Sequence, residues 1–86
     1  MPEIVIYTQP WCPYCSAAKR LLTAKGLDYR EINAPHGTRE RDEAIRLSGG
    51  RTTVPQIFIG GRPVGGSDEL HALEASGKLD ALLAAQ

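Results

Sequence analysis

Eighty-six residues allow one compact domain and no second core, because a chain this short buries only a modest fraction of its surface. Ten basic and ten acidic side chains cancel to a formal charge of zero, so no field is available to gather nucleic acid or an anionic membrane. The two cysteines stand three residues apart and cannot staple distant segments, which removes the disulfide-scaffold class of small secreted proteins.

Met1-Pro2-Glu3 runs directly into an apolar, β-branched stretch, with no basic start and no apolar signal core. The expectation is a single domain over residues 1–86, complete as it stands and cytoplasmic, where a reducing medium keeps a thiol pair cycling. Ile4-Val5-Ile6-Tyr7-Thr8 predicts the first strand, and Gln9-Pro10-Trp11 breaks it. After Pro13 the apolar residues Tyr14, Ala18, Leu21 and Leu22 take helical spacing. Pro13 suits the first helical position, where its missing N–H would be unpaired anyway, and this puts Cys12 at the N-cap.

At that position the first-turn N–H groups of Tyr14, Cys15 and Ser16 are expected to face the Cys12 sulfur, and with the helix dipole they favour a thiolate. Lowering a thiol pKa from about 8.5 to about 7 raises the thiolate fraction roughly fifteenfold, but weaker intrinsic nucleophilicity leaves a net gain of about threefold. The larger benefit is that such a sulfur leaves readily when a second thiol attacks a mixed disulfide. Cys12 is therefore the expected nucleophile. Cys15, one turn inside the helix, is the expected resolving thiol.

Gly26 ends this helix, and Leu27–Asn33 alternates as a second strand, completing a β-α-β unit with parallel strands. Thr38 caps a second helix running to about Ser48, with Ala44 and Ile45 inward and Arg39 and Arg41 on the solvated face. Val54–Ile59 predicts a third strand, Gly60-Gly61 a two-residue hairpin turn, and Arg62-Pro63-Val64 a short edge strand. Ser67 then caps a helix carrying Leu70 and Leu73. Gly77 interrupts it before a last amphipathic turn with Leu79, Leu82 and Leu83. The order β-α-β-α-β-β-α predicts an α/β fold, a four-stranded mixed sheet flanked by helices.

Cys12-Pro13-Tyr14-Cys15, Thr52-Thr53-Val54-Pro55 and Gly65-Gly66-Ser67-Asp68, in this order and in so short a chain, resemble a dithiol glutaredoxin across essentially the whole sequence. The resemblance implies a thioredoxin-like fold, thiol–disulfide oxidoreductase activity, and glutathione as co-substrate with no tightly bound cofactor. It implies that Val54–Pro55 is cis and that Thr53, Val54 and Pro55 receive glutathione as an added strand. Gly66, Ser67 and Asp68 would take its γ-glutamyl end, Tyr14 would line the thiol site, and Arg41 would reach the glycine carboxylate. The implied partners are glutathione and disulfide-bearing or glutathionylated client proteins, met by a monomer with no nucleic acid or membrane involved.

Three departures from the family pattern stand out. Gln9 replaces a lysine common three residues before the first cysteine, which removes one cation from the carboxylate side. Ser67 replaces a common cysteine, which removes an oxidisable thiol. Trp11 directly before Cys12 is more typical of thioredoxins, so reduction by a thioredoxin reductase stays open. A third reading is a dimer bridged by an iron–sulfur cluster through Cys12 and two glutathiones, which Pro13 disfavours by stiffening the loop. A zinc site would need about four ligands, and beyond the cysteines only His36 and His71 remain, without ligand spacing. No metal is expected. Ser16 after Cys15 also excludes the haem-attachment pattern.

Overall fold

Residues 2–85 are described by a computed structural model. They form β1 (Ile4–Thr8), α1 (Pro13–Ala24), β2 (Arg30–Asn33), α2 (Arg39–Leu47), β3 (Gln56–Ile59), β4 (Arg62–Gly65), α3 (Ser67–Ala75) and α4 (Lys78–Ala84). The sheet order is β2-β1-β3-β4, with β1 parallel to β2 and antiparallel to β3, and β3 antiparallel to β4. The mixed, four-stranded sheet expected from the sequence is thus present.

Strand alternation sorts the core onto two faces. Ile4 and Ile6 of β1 and Ile57 and Ile59 of β3 pack on one face against Ala18 and Leu22 of α1, Leu70 of α3, and Leu79 and Leu83 of α4. Val5, Tyr7 and Phe58 point the other way and meet Ala44 of α2. Each fully buried aliphatic side chain of this kind stabilises the fold by about 1.5–3 kcal/mol. On the second face Tyr7 donates its hydroxyl to Glu43, tying α2 to β1. Burial, reinforced by that carboxylate, pushes the Tyr7 phenol up to about 12, so it remains a donor.

Helix ends explain where the predicted elements shift. Gly26 (φ 70°) donates to the Thr23 carbonyl and Leu27 to the Leu22 carbonyl, the paired bonds of a left-handed helix terminus. Leu27 is thereby committed to α1, and β2 begins at Arg30 rather than Leu27. β3 likewise begins at Gln56, the residue that pairs with Tyr7, and the cis peptide Val54–Pro55 precedes the ladder. Gly66, not Ser67, is the N-cap of α3, and Ser67 is its first helical residue. Gly60 and Gly61 both have positive φ, as a two-residue hairpin turn of the expected type demands. Pro63 lies on edge strand β4, as expected.

Antiparallel pairing brings the end of β1, the start of β3 and the end of β4 to one edge of the sheet, with Tyr7 beside Gln56 and Ile57 beside Gly65. Three stretches far apart in sequence therefore converge at that edge.

Candidate active site

Cys12 is the N-cap of α1 and Pro13 its first residue, as the sequence predicts. The two cysteines are joined as a disulfide, with their Cα atoms 5.2 Å apart. The N–H of Cys15 lies 3.1 Å from the Cys12 sulfur, whereas that of Ser16 bonds to the Cys12 carbonyl at 3.1 Å. The amide support for Cys12 is therefore narrower than the three groups expected, and Cys15 supplies it. Cys12 is half-buried and reachable, while Cys15 is 2 % exposed. This asymmetry separates an attacking sulfur from a resolving one. Tyr14 is exposed beside the pair. Trp11, to which sequence gives no chemistry, is 98 % exposed in a left-handed conformation (φ 59°).

Opposite Cys12, the carbonyl oxygen of Val54 lies 3.9 Å from its sulfur. The loop bearing Val54 is anchored by Gln56, buried at the start of β3, which donates from Nε2 to the Thr53 carbonyl at 2.9 Å and its hydroxyl at 3.3 Å. A groove of about 320 Å³ runs from Tyr14 past Thr53, Val54 and Pro55 to Gly66, Ser67 and Asp68. Tyr14 and the two motifs far from it in sequence are thus gathered in one place. Sequence reasoning missed two further residues of this groove, Arg51 and Glu69.

Glu69 accepts the Gly66 N–H at 2.6 Å, the reciprocal half of a capping box whose other half Gly66, lacking a side chain, cannot make. Its carboxyl is held below the usual range by that backbone hydrogen bond first, and also by the charge of Arg51. Arg51 Nη1 donates to Glu69 Oε1 at 3.2 Å, joining the loop before Thr52 to the head of α3.

Arg41 does not line this groove. Contrary to the solvated face expected for it, the side chain is 5 % exposed. Nη1 donates to Gln9 Oε1 at 2.8 Å and the Ala34 carbonyl at 2.9 Å, and Nη2 to the Thr52 carbonyl at 3.0 Å, with His36 Nε2 at 3.5 Å. Arg41 thus ties the segment before Cys12 to the segment before Thr53. Gln9 acquires a use here, since a lysine in its place would set one cation against another.

A reachable sulfur at a helix head, a buried partner one turn on, and a proline loop facing them on this sheet define the thioredoxin-like class of thiol–disulfide oxidoreductases. The glutaredoxin family model matches residues 4–64. A glutaredoxin of Pseudomonas aeruginosa is 58 % identical over 85 residues, covering 99 % of this chain and all of that one. The solution structure of a glutaredoxin from Brucella melitensis superposes with a TM-score of 0.83 at 53 % identity, covering 96 % of this chain and 89 % of the other. A buckwheat glutaredoxin–glutathione complex superposes with a TM-score of 0.82 at 29 % identity, covering 96 % and 77 %. The chain belongs to the glutaredoxin family.

Proposed function

We propose that the protein is a glutathione-dependent thiol–disulfide oxidoreductase acting on glutathionylated and disulfide-bonded proteins in the reducing cytosol. The observation that carries this reading is the seating of the Cys12 sulfur between the Cys15 amide and the carbonyl of Val54, a residue that itself lines the groove leading to Gly66-Ser67-Asp68. In the reduced protein the Cys12 thiolate attacks the glutathionyl sulfur of a mixed disulfide. The S–S bond breaks, the client leaves as a thiolate that takes up a proton, and Cys12 carries the glutathionyl group.

A second glutathione thiolate then attacks that glutathionyl sulfur, forming oxidised glutathione and returning Cys12 as a thiolate. With a protein disulfide as substrate, Cys15 instead attacks the Cys12 sulfur, releases the reduced client and closes the Cys12–Cys15 disulfide, which two glutathiones reopen in turn. The groove suits glutathione because an extended tripeptide can pair with the Val54 backbone while the head of α3 takes its carboxylate and Asp68 its ammonium. The buckwheat relative has been solved as a complex with glutathione, which supports glutathione as the ligand.

Mass spectrometry of the Cys15→Ser protein treated with oxidised glutathione tests the reading. One glutathionyl adduct, located on Cys12 and removed by reduced glutathione, is expected. No adduct, or one that reduced glutathione leaves in place, would contradict it.

A further inference from the structure

Arg51 is the one cationic side chain that lines the groove among the described residues. The head of α3 beside it carries two carboxylates, Asp68 and Glu69, both exposed. A helix end contributes only about half a positive charge, so a ligand carboxylate arriving there would meet net negative surroundings if Arg51 were removed. The guanidinium is placed to prevent this. A methyl group built on Gly65 would lie 2.8 Å from Nη1, and one built on Gly66 would lie 4.0 Å from Nη2, so the fork spans both glycines at the mouth of the helix. Nη1 is occupied by Glu69, while Nη2 has no hydrogen-bond partner among the described residues. The N–H groups of Ser67 and Asp68, at the first two positions of α3, are likewise unpaired within the helix.

We propose that Arg51 is a specificity-determining residue that binds the γ-glutamyl carboxylate of glutathione through Nη2, beside the Ser67 and Asp68 amides, while Nη1 keeps Glu69. This inference rests on the glutathione reading above. Arg41, to which the family resemblance gives a carboxylate, has both terminal nitrogens committed to oxygen atoms of its own chain, and Arg51 does not.

The test compares two mixed disulfides of one peptide. One carries glutathione, and the other carries 4-aminobutyryl-cysteinyl-glycine, which is glutathione without that carboxylate. Because the ratio of kcat/KM is taken on the same protein sample, any unfolded fraction cancels. The wild-type protein is expected to prefer the glutathione substrate, and Arg51→Gln to narrow the preference by about three- to tenfold, the range for a charge-assisted contact at a part-exposed site. The change should lie in KM, and it should shrink as salt is raised.

Glu69→Gln removes the ion pair and one of the two carboxylates facing the ligand's own, while keeping a group that can accept the Gly66 N–H, and it should retain or widen the preference. An undiminished preference in Arg51→Gln overturns the role of Arg51 and leaves the glutathione reading standing. Equal narrowing in both variants assigns the effect to the Arg51–Glu69 bridge and also overturns it. A wild-type protein indifferent to the missing carboxylate overturns both readings together.

Discussion

Replacing Cys12 by serine is expected to reduce turnover of glutathione mixed disulfides to the uncatalysed rate, because a hydroxyl is not ionised near neutrality and cannot carry the glutathionyl group. Cys15→Ser should behave quite differently. Its sulfur is buried and takes no part in the exchange between Cys12 and two glutathiones. Its amide, which supports the Cys12 sulfur at 3.1 Å, survives the substitution. The variant should therefore stay within about threefold of wild type on glutathionylated substrates, the size of effect left after Brønsted compensation for an altered thiolate population. On protein disulfides, where Cys15 must release the trapped client, the same variant should lose turnover. The check is a coupled assay of both variants with both substrate types, and equal loss in both on glutathionylated substrate would contradict the division of labour.

A large effect on stability is expected at Arg41. Arg41→Ala opens a cavity and strands the Ala34 and Thr52 carbonyls, which the guanidinium now satisfies. A loss of about 2–4 kcal/mol follows from the orphaned buried carbonyl of Ala34, the weakened tie to Thr52 and the vacated volume. In a domain of this size that lowers Tm by roughly 10–20 °C. Arg41→Met restores volume but not the hydrogen bonds, and should remain at least about 1 kcal/mol below wild type. Thermal or denaturant unfolding of both variants measures this, and Arg41→Ala unfolding with the wild type would show that the buried guanidinium contributes nothing.

Much of this architecture is legible in the sequence because its signals are local. Cys12 at a cap with Pro13 after it, Thr38 accepting the Arg41 N–H, and Gly60-Gly61 in a tight turn each depend on neighbours a few residues away. The burial of Arg41 had a visible sign that composition obscured. It precedes Ala44 by three residues and Ile45 by four, which places it on the inward face of α2. The capping of α3 was also within reach, since Glu69 stands three residues after Gly66 and not after Ser67. By contrast, the Arg51–Glu69 bridge and the support of Thr53 by Gln56 depend on how a loop folds back over a strand or a distant helix. No periodicity encodes such contacts. Where β2 begins was hidden for a similar reason, because the Leu27 N–H belongs to the end of α1.

The most direct test of the account is the rate of iodoacetamide alkylation of Cys12 in the reduced Cys15→Ser protein, followed against pH. The helix head and the residue 15 amide predict a midpoint well below the value of about 8.5 for an ordinary thiol. A midpoint at that ordinary value, the same as for cysteine in an unstructured peptide, would contradict the account.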